Sequence, residues 1–264
     1  MRNPWQVTAA LFALTAVMWG QPAAPARVAG YLASAQTSEV VRMVPAAPRT
    51  GDPRFEADMA IFRATRSLEG SARWAIAQSD DNLSVAGLLN AFACSLGLAL
   101  TPESAPKITA LINRANEDAY LASDVIKKRY NHKRPFQVAE GSVCVSPQGK
   151  AALERSPDYP SGHATLSWET GLIITELSPD HADDVLTRAR AFGQSRVVCG
   201  VHNLSAIEAG WLTATAVFAM QMSAPEFGKD LDAARTELAS LQATAKARPA
   251  SCEAEAQILS KDPY

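Results

Sequence analysis

The feature that most constrains this chain is a series of apolar segments whose residues recur at helical spacing. No segment shows the apolar–polar alternation of a strand. The 264 residues are enough for one domain with a substantial core. The sequence therefore predicts an all-α fold, a helical bundle.

Boundary residues place the individual helices. Thr101 has the character of an N-cap with Pro102 in the first turn, and Pro135 disfavours helical geometry in the residue before it. We expect helices from Phe55 to Leu68, over Leu83–Leu100, from Thr101 to about Arg134, over Ala164–Leu177, from Ser178 to Phe192, over Leu204–Met222 and over 225–247. The helix after Thr101 should carry these residues toward the core: Ile108, Leu111, Ile112, Ala115, Ala119 and Ile126.

The N-terminal segment has the pattern of a secretory signal. Arg2 precedes the apolar run Thr8–Trp19, which is too short to span a bilayer comfortably, and Ala26 ends a small-x-small cleavage site. An uncleaved anchor is the alternative. We predict a signal peptide over 1–26, an extended lead-in over 27–52 and a single all-α domain over 53–264, with no stable membrane span in the mature chain.

The charge balance excludes one class of partner. The chain carries 25 basic and 27 acidic residues, a net charge of −2. Proteins that bind nucleic acid usually show a basic excess. We therefore expect no nucleic-acid partner, and any cationic site must be built locally. The oligomeric state stays open, a homo-oligomer included.

Four cysteines can form two disulfides if the chain is exported, and three pairings are possible. Cys144 and Cys199 lie near the functional clusters described next, whereas Cys94 and Cys252 lie outside them. We favour Cys144–Cys199 and Cys94–Cys252, with four buried thiols as the alternative. No two cysteines are closely spaced, so a zinc site is not expected.

Three short clusters point to a chemistry. They are Lys127…Arg134-Pro135, Pro160-Ser161-Gly162-His163 and Ser195-Arg196…His202. Three fixed cations and two imidazoles suit a small, highly charged anion, because Arg and Lys both bind phosphate oxygens. The candidate is a phosphate group that is transferred to water.

Each cluster alone also has an ordinary structural explanation. Lys127 and Arg134 lie in a basic run typical of a solvated surface, although residues seven apart return to one face of a helix. Ser161 could be a plain N-cap, although a helix N-terminus also binds anions. His202 could be a structural histidine. The combination is what favours a functional site.

The order and spacing K-x6-RP, PSGH, SR-x5-H resemble the three-part motif of the type 2 phosphatidate-phosphatase (PAP2) superfamily. Within it, the chain most resembles the bacterial class A non-specific acid phosphatases. Phe136, Tyr159 and the stretch 195–200 add to the resemblance, which covers roughly residues 53–225. It implies a helical bundle of the acid phosphatase–haloperoxidase type.

The resemblance also implies a role for each residue. His202 would be the nucleophile that forms a phosphohistidine, and His163 the general acid. The phosphate oxygens would be held by Lys127, Arg134, Ser161, Gly162 and Arg196. The reaction would need no metal or other cofactor, and the substrates would be small phosphomonoesters of broad range.

One position departs from the family pattern. The family has an Asp four residues after the nucleophilic His, where it would orient the imidazole, but this chain has Ala206. Losing such a carboxylate can lower the rate by a factor on the order of 10⁴. Glu208 is a poor geometric substitute on a helix. The replacements considered are a backbone carbonyl, Asn203, or a carboxylate from another helix, for instance Glu117 or Asp118.

The departure leaves three outcomes: a rewired active enzyme, a weak phosphatase, or a phosphate-binding remnant. If Ala206 limits the rate, Ala206→Asp should raise turnover. Other function classes are a lipid-phosphate phosphatase, a vanadate-dependent haloperoxidase and a non-catalytic anion-binding protein. The signal-like segment predicts a periplasmic or secreted bacterial protein.

Overall fold

The computed structural model describes residues 27–244 and 251–264, and these form α-helices and short 3₁₀ turns without strands. This confirms the all-α prediction. The helices are α1 Ser34–Glu39, α2 Pro53–Thr65, α3 Ala72–Ser79, α4 Val85–Ala91, α5 Ala93–Leu96, α6 Pro106–Tyr130, α7 Pro147–Leu153, α8 Gly162–Leu177, α9 Ala182–Val198, α10 Leu204–Gln221, α11 Pro225–Ala243 and α12 Cys252–Leu259.

Helix α8 lies at the centre of the bundle and packs against α6, α9 and α10. The residues of α6 that helical spacing assigns to the core are all fully buried: Ile108, Leu111, Ile112, Ala115, Ala119 and Ile126. Each large aliphatic side chain buried in this way stabilises the fold by about 1.5–3 kcal/mol. The long central helices therefore form a fixed frame for residues at their ends.

Helix α10 and the N-terminus of α8 pack closely at Gly210. A Cβ on Gly210 of α10 would lie 2.9 Å from the carbonyl oxygen of Ser161 and 3.0 Å from the Ala164 Cβ. Only a residue without a side chain fits there. Gly210 thus sets the distance between α10 and the N-terminus of α8.

Helix α6 differs from its prediction at both ends. Thr101 does not begin it, because Thr101 and Ser104 close a separate turn in which each backbone N–H bonds the other's hydroxyl. The helix begins at Pro106 and ends at Tyr130, where Asn131 adopts a left-handed conformation with φ of 43°. Arg134 therefore lies in the loop beyond the helix, and helical spacing does not explain how it approaches Lys127.

Two further predictions need correction. The segment Leu83–Leu100 is not one helix, since α4 and α5 are separated at Phe92 and end at the left-handed Gly97. The lead-in 27–52 is not extended throughout, because it contains α1 and a 3₁₀ turn packed on α6. The predicted signal peptide lies outside the described residues.

Both favoured disulfides are formed, Cys94–Cys252 and Cys144–Cys199. The first ties α12 to α5. The second joins the loop before α7 to the C-terminal end of α9, next to the turn that carries His202. No helix among the described residues combines the length and apolarity that crossing a membrane requires.

Candidate active site

The three sequence clusters meet at one end of the bundle. Lys127 comes from the last turn of α6 and donates to the carbonyl oxygen of Pro157 at 2.6 Å. The segment after Pro157 leads into the N-terminus of α8, and the Ser161 N–H donates to the Ala206 carbonyl at 2.9 Å. Arg134 reaches His202 across the same region, with NH1 2.9 Å from Nε2.

His202 is held at both ring nitrogens and is 3% exposed. Its Nδ1 lies 2.8 Å from Oδ1 of Asp158, and its Nε2 faces the Arg134 guanidinium. Because a guanidinium can only donate, Nε2 must be the acceptor and Nδ1 must carry the proton. This tautomer leaves a lone pair on Nε2, as a nucleophile requires.

Asp158 is fully buried and bonded at both oxygens. Besides His202, it accepts from Asn203 Nδ2 at 2.8 Å and lies 3.2 Å from His132 Nδ1. Burial favours the neutral acid, but the bonds from His132 and His202 and the charge of Arg134 outweigh it. They hold the pKa of Asp158 well below its usual range. Asp158 is therefore an anion at neutral and mildly acidic pH.

Asp158 was missed by the sequence reasoning. Of the replacements considered there, Asn203 binds Asp158 rather than the imidazole, Glu117 pairs with Arg27 at 3.5 Å, and Asp118 accepts from the N–H of Tyr31. The available signal was a carboxylate three residues before the Ser161-Gly162 turn. The contact with His202 spans 44 positions, which no local pattern reveals.

The two positions nearest His202 on α10 fit this arrangement. Ala206 is fully buried among apolar residues, and its carbonyl oxygen accepts the hydrogen bond from the Ser161 N–H. Glu208 lies at the surface, 3.9 Å from Arg54, so it is not the orienting group, as predicted. The carboxylate therefore approaches His202 from the loop before α8 and not from α10.

Burial and the charge of Arg134 lower the pKa of His202 well below its ordinary value, despite the opposing effect of Asp158. Burial and the charge of Arg196 lower the pKa of His163 to about 4. His163 Nε2 lies 3.1 Å from the carbonyl oxygen of Asp81, which can only accept. The His163 proton is therefore at Nε2.

The N-terminus of α8 has the features of an anion site. The Ser161 hydroxyl accepts from the Ala164 N–H as the N-cap, which leaves its own proton to donate. A Cβ on Gly162 would meet no atom within 4 Å, so the backbone is open on that side. The first-turn N–H groups and the helix dipole both favour a negative charge there.

The three cations differ in what they already bind. Arg134 donates to the carbonyl oxygens of Ser156 and Val201, each at 2.8 Å. Burial, followed by the charge of Arg134, lowers the pKa of Lys127 to about 7. Arg196 is fully buried, and its NH2 lies 2.7 Å from Oδ1 of Asp81, whereas its Nε and NH1 have no hydrogen-bond partner within the described residues. Buried donors without a partner call for a further acceptor, such as a phosphate oxygen.

A cleft of about 310 Å³ opens beside this region. Its lining includes the half-buried Lys127 and Gly162 and the exposed Tyr120, Lys128 and Arg155. Among the described residues, no group of three or more His, Cys, Asp or Glu side chains could hold a metal ion. The arrangement can bind a phosphate group on the inside and leave the attached alcohol in the cleft.

Comparisons with known proteins agree with this geometry. A sequence model of the PAP2 superfamily matches residues 109–227, which include all three clusters. The acid phosphatase of Zymomonas mobilis is 38% identical over 191 residues, 72% of each chain. The non-specific acid phosphatase of Providencia stuartii is 33% identical over 80% of this chain and 86% of that protein. The one from Salmonella typhi is 32% identical over 74% and 78%. The chain therefore belongs to the PAP2 superfamily, together with these bacterial acid phosphatases.

Proposed function

We propose that the chain is an acid phosphatase that hydrolyses phosphomonoesters through a phosphohistidine at His202, without a metal ion or other cofactor. The observation that carries the proposal is the Asp158–His202 pair. It supplies the orienting carboxylate that position 206 lacks. Family membership supports the reaction type, and the rewired pair supports full activity over a weak or non-catalytic relative.

In the first step, the Nε2 lone pair of His202 attacks phosphorus and the bond to the alcohol oxygen breaks. Protonated His163 gives its proton to that oxygen, so the alcohol leaves neutral. The imidazole becomes positively charged, and Asp158 stabilises it through Nδ1. Arg134 NH1, which faces Nε2, transfers its hydrogen bond to a phosphate oxygen as phosphorus approaches.

In the second step, water attacks the phosphohistidine and the P–N bond breaks. His163, now neutral, accepts the proton of the attacking water. Inorganic phosphate is released and His202 regains its lone pair. Dividing the transfer into two steps avoids one direct attack of water on the ester.

Fixed positive charge lowers the barrier of both steps. The phosphoryl transition state spreads negative charge over three equatorial oxygens. We assign these oxygens to Lys127, Arg134, Arg196, the Ser161 hydroxyl and the backbone of Gly162. Groups that are already oriented stabilise this charge without reorganising during the reaction.

The substrates we propose are small phosphomonoesters of varied alcohols. The site binds the phosphate group, and the cleft beside it is open to solvent, so it places little restriction on the alcohol. A lipid-phosphate phosphatase is the second candidate, and no observation favours it here. We further propose that the protein is periplasmic or secreted, which its two disulfides support because they persist in oxidising compartments.

The test is hydrolysis of p-nitrophenyl phosphate from pH 4 to 8 in the presence of EDTA. We expect activity that is highest on the acid side. The fraction of protonated His163 falls as the pH rises above its pKa of about 4, while burial and the charge of Arg134 hold the pKa of His202 well below its ordinary value and so favour the neutral nucleophile. A bound phosphate dianion raises the pKa of His163 and extends activity toward neutrality.

The control is His202→Ala, which should fold and lack activity. EDTA-sensitive activity would contradict the metal-free mechanism. Undiminished activity of His202→Ala would contradict the assignment of the nucleophile.

A further inference from the structure

The residues proposed to bind phosphate adjoin a carboxylate that has no role in the sequence motifs or in the proposed mechanism. Oδ1 of Asp81 lies 2.7 Å from NH2 of Arg196 and 3.5 Å from Nε2 of His163. In the proposed mechanism, Arg196 binds a phosphate oxygen and His163 protonates the leaving alcohol. A negative oxygen of the protein thus lies where an oxygen of the substrate would bind.

The loop that carries Asp81 is anchored by buried hydrogen bonds of its neighbour Asp80. Asp80 is 1% exposed and accepts from Arg188 NH2 at 2.6 Å and from the Ser195 hydroxyl at 2.6 Å. Ser195 and Arg196 are adjacent on α9. Ser195 binds Asp80 and fixes the loop, and Arg196 contacts the Asp81 carboxylate. The position of Asp81 is therefore set by buried contacts and not by chance on the surface.

The Asp81 side chain is open to solvent, in contrast to the buried Asp80. It is 47% exposed, while the Arg196 side chain is fully buried. The hydrogen bond with His163 and the charge of Arg196 hold the pKa of Asp81 well below its usual range, so it stays charged at acid pH. A rotation toward solvent would leave the Arg196 guanidinium to an incoming anion.

We propose that Asp81 is an internal competitor for the phosphate subsite and sets the affinity of the protein for phosphate. The proposal rests on the function proposed above. A phosphate group must displace the carboxylate from Arg196, so its apparent affinity is reduced by the fraction of molecules in which Asp81 has turned away. The same competition favours release of inorganic phosphate after the second step.

The carboxylate could instead act on His163, and the two roles predict different kinetics. A residue that only positions the acid would lower kcat when its charge is removed and leave phosphate affinity unchanged. A competitor would tighten phosphate binding and lower KM, without a large loss in kcat. Asp81→Asn separates the two roles because it keeps the shape of the side chain and removes its charge.

The experiment is calorimetric titration of inorganic phosphate into wild-type protein, Asp81→Asn and Asp81→Ala at pH 6, together with competitive inhibition of p-nitrophenyl phosphate hydrolysis. We expect the phosphate Kd and Ki to fall about tenfold in both variants, as when a competing state populated to about 90% is removed. Circular dichroism checks folding, and Asp81→Ala replaces Asp81→Asn if the amide misfolds.

Asp124→Asn is the matched control. Asp124 lines the cleft and pairs with Lys128 at 2.6 Å, so its substitution removes a nearby negative charge without touching Arg196. An effect on phosphate Kd well below that of Asp81→Asn supports direct competition. Equal effects of Asp124→Asn and Asp81→Asn on the phosphate Kd would overturn the proposal, because they would show that any lost negative charge near the cleft strengthens phosphate binding.

Failure of this inference and failure of the proposed function give different results. An active wild-type enzyme whose phosphate Kd and Ki do not change in the Asp81 variants would overturn the competition and leave the phosphatase intact. A wild-type protein that neither hydrolyses the ester nor binds phosphate would overturn both.

Discussion

At the level of single residues, the proposed mechanism depends on which carboxylate orients the His202 imidazole. The family pattern places it four residues later in sequence, whereas this chain brings Asp158 to Nδ1 from a loop 44 residues earlier. A charged acceptor at Nδ1 fixes the ring tautomer and stabilises the imidazolium of the reaction, wherever in the chain it originates. A missing motif residue therefore does not by itself mean lost activity.

The first residue-scale prediction concerns Ala206. Ala206→Asp would raise turnover only if Ala206 limited the rate, but Asp158 already holds Nδ1 and Ala206 is fully buried among apolar side chains. A carboxylate there would be buried among apolar residues, which destabilises a protein by several kcal/mol when the charge has no partner. We expect a lower melting temperature and no gain in kcat for the variant. A rise in kcat would show that Asp158 does not orient the ring.

The second prediction concerns the general acid. His163→Ala should reduce hydrolysis of an alkyl phosphate far more than hydrolysis of p-nitrophenyl phosphate, because nitrophenolate leaves without needing a proton. General acid catalysis contributes about 10²- to 10⁴-fold, so we expect a loss in this range for glycerol phosphate and a much smaller one for the aryl ester. Equal losses in kcat/KM for both esters would assign His163 to phosphate binding alone.

At the scale of elements, the site is made by the ends of α6, α8 and α9 and by the turn before α10. Gly210 is the position that lets α10 approach α8, since a Cβ there would meet the Ser161 carbonyl oxygen at 2.9 Å. Backbone atoms cannot move aside as a flexible side chain can. The spacing of these two helices therefore controls where Ser161 and Gly162 lie relative to His202.

Gly210→Ala should thus damage both stability and activity. Overpacking of this kind costs about 1–3 kcal/mol, and the shift of α8 should weaken competitive inhibition by phosphate. Gly228→Ala is the matched control, because a Cβ at Gly228 in α11 would meet nothing within 4 Å. It should raise stability by about 0.4–1 kcal/mol and leave kcat unchanged. Thermal unfolding and the phosphate Ki measure both effects, and similar behaviour of the two variants would contradict this role of Gly210.

The same elements show what the sequence could and could not predict. The periodicity of α6 assigned its core residues correctly, and the three clusters identified the helix ends that meet. The start of α6 was wrong because the turn formed by Thr101 and Ser104 has the same residue types as a helix cap. Asp158 and Asp81 were missed because their contacts with His202 and Arg196 are long-range, and no spacing in the sequence encodes them.

At the scale of the whole molecule, two disulfides close long loops in different places. Cys94–Cys252 spans 158 residues and fixes α12 at the edge of the bundle, and Cys144–Cys199 spans 55 residues beside the site. Both restrict the unfolded chain, and each bond is expected to contribute about 2–5 kcal/mol. Only Cys144–Cys199 adjoins the turn that holds His202.

Removing the disulfides one at a time should separate stability from activity. Replacing Cys94 and Cys252 by serine should lower the melting temperature and leave kcat near the wild-type value below the transition. Replacing Cys144 and Cys199 should lower both, because the turn from Cys199 to Asn203 loses its anchor. Equal kcat values for the two double variants would show that this disulfide does not support the site.

The dependence of His202 on Asp158 is tested by the kcat of Asp158→Asn, measured beside the wild-type protein with p-nitrophenyl phosphate at the optimal pH. The amide keeps the shape of the side chain but not its charge, and it can turn its NH2 toward Nδ1 and favour the wrong tautomer. We predict a loss in kcat on the order of 10³- to 10⁴-fold in folded protein, with a much smaller change in phosphate Ki. A kcat within about tenfold of wild type would contradict the account, because it would mean that His202 does not depend on Asp158.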